Sequence, residues 1–490
     1  MFGKLFKKKE NNPIQKLSFE NYLATVVDIH AELPKSTVTV KEQMDIIFSD
    51  TSDFTERKFH LKSGRSVYIC YFSALISQPQ LEASVIKPLI QNDVNFRDAD
   101  DLGNILSVTK YEQTVNWKGT VENILDGNIV LHIDQLNPII LFLAEKTGRN
   151  PTDPTTEYQV YGAKFGFIED SRKNIGIMRQ FIKDPRLKSR AYDIGVVSKK
   201  QAAILYLEQY CQPEVVEHLD SLLNSYNKEH LQSIGQLSKY ISKHPNSLFP
   251  QATMSERPDL VSFALVQGKV VIFIDGSAFC AITPITFMDL LETSEDHFFL
   301  SRWNLLFIRF LRIVSMFIGT ILPALYVSLV AFQPELIPTT LTISVAQARV
   351  QIPLPATAEA FLMMFALDVL IEASLRLPSF VGQTIGIVGG LVIGTAAVEA
   401  GLVSHTMVIV IAFTAVATFT SPSWEFVSTW RIIRYLLVAI AAMLGLYGLV
   451  LAVGFLLVHL CKLDSMNKPY MYPLAPFDGK ELKAFFFPKR

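Results

Sequence analysis

The residues best placed to do chemistry are ionisable side chains inside an otherwise apolar stretch. Asp368, Glu372 and Arg376 follow one another at intervals of four, so a helix sets all three on one face. Glu359 opens the same segment. Ionisable groups at membrane depth are costly and face a bundle interior or a water path. Repeated around an axis by several copies of the chain, this face would form a ring of carboxylates, which is how cation pores draw their ion. The plainer alternative is a Glu372–Arg376 ion pair beside an interfacial Asp368, with no pore. The sequence alone leaves both open.

No other constellation points to catalysis. The chain carries no P-loop, no GxGxxG after a strand, no HExxH and no GxSxG. Its nine histidines are scattered. The four cysteines (Cys70, Cys211, Cys280, Cys461) lie far apart without zinc spacing, so neither a disulfide framework nor a structural metal is expected. Asp134 and Asp275, each following an isoleucine, resemble a carboxylate pair, but aspartates in hairpin turns explain them more simply. A net charge of −1 excludes a basic chain that grips nucleic acid. No enzyme, no cofactor and no metal are expected.

The elements that must position these charges come from an uneven distribution. Only ten charged side chains fall between Ile313 and Leu460, and no lysine occurs between Lys269 and Lys462. Charge density is about 23% before Ile313 and about 7% across that stretch, too low for a soluble surface. Four uncharged stretches reach the roughly 20 residues of a membrane span: Ile313–Pro334, Leu377–Val398, Ala400–Trp424 and Tyr435–Cys461. Glu359–Arg376 is a possible fifth. Arg302, Arg309 and Arg312 precede the first span, and the start, MFGKLFKKKE, lacks a signal-peptide core, so the large N-terminal region is expected in the cytoplasm. An even number of spans would place the basic C-terminal tail there too. Gly382, Gly386, Gly390 and Gly394 form a stripe suited to close helix packing, or alternatively to an unwound substrate site. The proline-rich stretch Gln333–Pro355 reads as a loop or re-entrant connection.

The expected fold is an α/β soluble N-terminal region of two related α/β subdomains, followed by an α-helical polytopic membrane domain. The expected divisions are a tail and linker at 1–41, subdomains at 42–157 and 158–298, a transmembrane domain of 4–5 spans at 299–461, and a tail at 462–490. The repeat is visible in Gly127–Phe142 against Gly268–Thr283, which reach Ile133-Asp134 and Ile274-Asp275, and in Gln78-Pro79 against Gln212-Pro213. Asp275-Gly276 between apolar runs signals a hairpin.

Four segments carry a family resemblance: FGFIEDSRKNIGIMR (Phe165–Arg179), SERPDLVSFALVQGKVVIFIDGSAF (Ser255–Phe279), LPALYVSLVAFQPELIPTTL (Leu322–Leu341) and VGQTIGIVGGLVIGTAAVEAGLVSHTMVIV (Val381–Val410). They resemble the A subunit of spore germinant receptors, over roughly residues 45–476. The resemblance implies a multi-pass protein of the inner (cytoplasmic) membrane of the bacterial spore. It also implies nutrient sensing with a permease-like B subunit and a lipoprotein C subunit, and a homo-oligomeric ring, a pentamer, that conducts ions on activation. A secondary transporter and a non-conducting scaffold of the same complex are the alternatives. The chain departs from the family pattern at Ile371, where a basic residue is usual, and in VQIPLP after Arg349. His405 stands in place of proline, and Ser465-Met466-Asn467-Lys468 in place of a Ser-Phe-Gly run.

Overall fold

The computed structural model describes residues 18–487 apart from 92–101, 103–104, 109, 145–164, 294, 297–300 and 378. The basic run Lys7–Lys9 and the expected divisions at 157/158 and 298/299 lie outside the described residues. Two compact units form: Met1–Pro245 with Ala252–Pro284, and Asn246–Gln251 with Ile285–Arg490. Residues 285–291, expected with the second α/β subdomain, belong to the helical unit, where Phe287, Met288 and Leu291 join its apolar core.

The first unit holds two five-stranded antiparallel sheets. One is built from β1 (Phe54–His60), β2 (Ser66–Phe72), β3 (Tyr111–Gln113), β4 (Ile129–Ile133) and β5 (Ile139–Leu141), in the order β1-β2-β4-β5-β3. The other uses β6 (Leu187–Ile194), β7 (Lys200–Leu207), β8 (Thr253–Ser255), β9 (Val270–Ile274) and β10 (Cys280–Thr283), in the order β6-β7-β9-β10-β8. Strand for strand, the two orders are the same. The inner strands β4 and β9 are buried along their whole length, so β9 reads as an unbroken apolar run and β4 as one interrupted only by the buried His132.

The helices repeat as well. Helix α1 (Phe19–Val26) comes first, and α2 (Thr37–Ile47) and α3 (Trp117–Leu125) serve the first sheet. Helix α4 (Ser171–Phe181), α5 (Pro213–Asn224), α6 (Ile234–Ile241) and α7 (Pro258–Val266) serve the second. The two Ile-Asp pairs of the sequence occupy equivalent turns and share one task. Asp134 accepts a hydrogen bond from the Thr37 amide at the start of α2 (2.8 Å), and Asp275 from the Ser171 amide at the start of α4 (3.0 Å). Each carboxylate satisfies an orphan donor at a helix N-terminus, and neither faces the other.

A buried contact joins the two sheets. Arg179 donates to both carboxylate oxygens of Asp53 (2.9 and 2.8 Å) and to the Leu187 carbonyl (2.7 Å), and its guanidinium lies 4.3 Å over the Phe72 ring. Ser189 adds a hydroxyl bond to Asp53 (2.5 Å). Burial alone would push the Asp53 carboxyl up, but Arg179 and these hydrogen bonds outweigh it and hold the group below the ordinary carboxylate range. At Gly176 in α4 a Cβ would lie 2.5 Å from the Ala74 carbonyl oxygen, so only glycine permits this approach.

The second unit is helical: α8 (Arg302–Phe332), α9 (Thr339–Arg349), α10 (Ala356–Arg376), α11 (Ser379–Glu399), α12 (His405–Thr418), α13 (Trp424–Lys462) and α14 (Gly479–Phe486). Among the described residues, α8 and α13 are the helices long and apolar enough to cross a membrane. Two expectations need correction. The stretch Gln333–Pro355 contains α9, because Pro334 and Pro338 fall before the helix and Pro353 and Pro355 after it, where proline breaks nothing. The uncharged run Ala400–Trp424 yields only the 14 residues of α12, about 21 Å long, shorter than a full span.

The expected span Tyr435–Cys461 is corrected as well, because helix α13 folds back on itself inside it. Gly445 leaves the helical region (φ 63°, ψ −150°). The Phe249 ring lies 5.6 Å from Trp430 and 6.2 Å from His459, residues that a straight helix would hold about 43 Å apart. The two arms run antiparallel, and their turn meets the end of α8, where the Leu446 amide donates to the Gln333 side chain (3.2 Å).

Candidate functional site

Four clusters of charge organise the helical unit. At the start of α8, Arg309 and Arg312 converge on Asp296 (3.4 and 2.6 Å), and Arg309 also meets Glu292 (3.1 Å) and donates to the Phe485 carbonyl of α14. The C-terminal segment is therefore anchored beside the beginning of α8. Phe287 reinforces this by donating its amide to the Tyr470 carbonyl (2.8 Å). Of the arginines that read as flanking charges, Arg309 and Arg312 are buried or half-buried ion-pair partners, while Arg302 is exposed.

At the opposite end of α8, Glu359 is fully buried. One oxygen meets Arg349 of α9 (3.2 Å), and the other accepts from the Ser404 amide and hydroxyl (3.1 and 3.0 Å). Glu359 therefore ties three segments together and is separate from the other three site residues. Asp368, nine residues further along α10, turns to α13: Tyr435 donates to it (2.7 Å) and Arg431 lies 3.4 Å away. Arg434, also buried, donates to Thr418 of α12 (2.6 Å). Glu372 and Arg376 pair with each other (2.7 Å) at the exposed end of α10. Along α10 the Asp368–Glu372–Arg376 spacing is kept, with Glu372 paired to Arg376 and Asp368 engaged by α13, while the separate candidate Glu359 is bound near the start of the helix. Arg349, Arg431, Tyr435 and Ser404 were not singled out by the sequence reading. Their signal is the need for a countercharge or donor wherever an apolar run contains a carboxylate.

The four glycines of α11 are not equivalent. At Gly382 a Cβ would lie 2.6 Å from the Ser374 carbonyl oxygen, which makes the tight α10–α11 approach possible. Gly394 has only Val408 near, at 3.9 Å, and Gly386 and Gly390 have nothing within 4 Å. Close packing within the chain thus uses Gly382, together with Gly389 against Leu370, and not the whole stripe. The face at Gly386 and Gly390 is open, and α10 is the main neighbour of α11.

Three of the four sequence departures have local explanations, and nothing in the structure explains VQIPLP. His405 is the first residue of α12 after the Ser404 cap, a position that also accepts proline. Met466 and Asn467 adopt positive φ in the turn between Asp464–Ser465 and Lys468–Pro469, and asparagine tolerates that conformation where the family has glycine. Ile371 is buried, so a charged residue would be unsuited here.

The family model described as Bacillus/Clostridium GerA spore germination protein matches residues 42–490. Spore germination protein GerLA of Bacillus cereus is 38% identical over 389 residues, which are 79% of this chain and 78% of that one. The membrane protein YfkQ of Bacillus subtilis (strain 168) is 33% identical over 448 residues, 91% of this chain and 87% of its own. A crystal structure of the N-terminal domain of the A subunit of the Bacillus megaterium spore germinant receptor GerK3 is similar at 21% identity, covering 52% of this chain and 98% of that chain, with a TM-score of 0.41. With its family model spanning both the sheets and the helices, this chain belongs to the GerA spore germination protein family.

Proposed function

We propose that the chain is the A subunit of a nutrient-sensing germinant receptor in the inner membrane of the spore, and that copies of it assemble around an ion path. The observation carrying this reading is the exposed Glu372, at the end of a helix whose other carboxylates are engaged, next to α11 with its open Gly386–Gly390 face. A helix this apolar with one main neighbour needs a cover, and a second copy fits a surface without side chains. Glu372 would then face the path and draw cations. The permease-like B subunit and the lipoprotein C subunit are the expected partners, with nutrient binding biasing a closed–open equilibrium. The Arg309 bond to the Phe485 carbonyl sets the start of α8 beside the C-terminal segment, so in this reading both lie on the cytoplasmic side. The reading is tested by cation flux through reconstituted receptor: Glu372→Gln lowers flux while assembly is retained, whereas unchanged flux from an assembled receptor removes Glu372 from the path. The Glu372–Arg376 pair favours a second reading, a non-conducting scaffold, in which the carboxylate is already neutralised within its own helix.

A further inference from the structure

We propose that the helical unit holds one acyl chain of an anionic phospholipid in an internal cavity, with the headgroup at Lys483. The inference rests on the membrane reading above. The cavity, about 300 Å³, lies between α8, both arms of α13 and α14, and its wall includes Met316, Phe317, Leu437, Leu456 and Phe486. That is about twice the roughly 150 Å³ apolar cavity that stays dry and takes up benzene. Thr320, the hydroxyl on the wall, turns its hydrogen back to the Met316 carbonyl (2.9 Å), and apart from it and the Trp430 indole the lining side chains are hydrocarbon or thioether. A space of this kind suits hydrocarbon and excludes a polar ligand.

The cavity does not end blindly. Leu482 and Phe486 also line an adjoining open groove with Leu306, Phe310, Phe477 and Lys483. Lys483 is the charged residue of that groove, it is exposed, and it makes no ion pair among the described residues. An apolar channel opening beside one cation matches an acyl chain with an anionic headgroup. One lysine near a membrane surface favours an anionic over a zwitterionic headgroup about fivefold.

Trp430 lies on the cavity wall and supplies the probe. The full-length chain with Trp117, Trp303 and Trp424 replaced by phenylalanine is purified in detergent micelles. It is titrated with phosphatidylglycerol or phosphatidylcholine carrying brominated acyl chains, which quench tryptophan on contact. The expected result is saturable quenching of Trp430, with a half-point about fivefold lower for phosphatidylglycerol, a preference that Lys483→Gln abolishes. Filling the cavity with Leu437→Phe and Leu456→Phe removes the saturable quenching. Equal half-points for the two lipids, or saturable quenching that survives the filled cavity, would overturn the proposal. The membrane reading is checked separately by Phe455→Trp in a tryptophan-free chain, since Phe455 is 73% exposed on the second arm of α13. Quenching there by both lipids with none at Trp430 sinks only the lipid site. Its absence there sinks the membrane reading.

Discussion

Replacing Arg179 by methionine isolates the contact between the two sheets. The change keeps an apolar stem against Phe72 but removes the two bonds to Asp53 and the bond to the Leu187 carbonyl. Asp53, only 6% exposed, is left with the Ser189 hydroxyl as its side-chain partner. Stranding a buried charge in this way costs about 3–5 kcal/mol, a large part of the roughly 5–15 kcal/mol that holds a domain folded. With a urea dependence near 2 kcal/mol per molar, the unfolding midpoint falls by about 2 M. Trp117 is the tryptophan of the α/β unit, so its fluorescence in a chain lacking Trp303, Trp424 and Trp430 follows this unit. The double variant Asp53→Leu/Arg179→Met recovers most of the loss, because no charge is left buried. The pH dependence has a definite sign. The Asp53 pKa is lowered in the folded protein, so its contribution is complete above the unfolded value of about 3.9 and fades as pH falls through the folded one. The advantage of wild type over Arg179→Met therefore shrinks in acid. A midpoint shift below about 0.3 M at neutral pH, with no recovery in the double variant, would refute the argument.

Other outcomes follow from single contacts. Asp134→Ala and Asp275→Ala each lose about 1 kcal/mol in the same urea assay, and a clear inequality would break their structural equivalence. Gly176→Ala pushes a methyl into the Ala74 carbonyl and costs about 1–3 kcal/mol; a neutral result would show that α4 shifts freely. His132, buried on β4, has its pKa lowered by burial, so its neutral form stabilises the fold above about pH 6.5 and this contribution is lost as pH falls below that value. His132→Leu flattens this dependence, and an unchanged slope between about pH 5 and 7 would exclude it. In oriented vesicles, Ser301→Cys and Lys480→Cys in a Cys461→Ser background react with an impermeant maleimide from the same side. Labelling from opposite sides would contradict an even number of passages.

Some of this was readable and some was not, for physical reasons. The loss of charge after Ile313 marks the helical unit because apolar surroundings tolerate few charges. The Ile-Asp repeats reveal the paired sheets because equivalent turns cap equivalent helices. Period-four spacing correctly put Glu372 beside Arg376, since both lie on one helix and depend on nothing distant. The same spacing keeps Asp368 on that helix but could not name its partners Arg431 and Tyr435, which lie more than 60 residues away in sequence. Nothing local announces such a partner. The turn at Gly445 was equally hidden, because both arms of α13 are apolar and one glycine in a long run ordinarily continues a helix. Gly386 and Gly390 read like Gly382, yet only a structure shows that among the described residues nothing comes within 4 Å of where their Cβ would be.

The central claim concerns Glu372, and cation conductance of the reconstituted receptor measures it most directly. Planar-bilayer recordings with nutrient present compare wild type, Glu372→Gln and Asp368→Asn, each confirmed as assembled. Glu372→Gln lowers cation conductance, most strongly at low salt where screening is weak, and Asp368→Asn acts through stability rather than ion attraction. Unaltered conductance and selectivity in Glu372→Gln at low salt, from a fully assembled receptor, would contradict it.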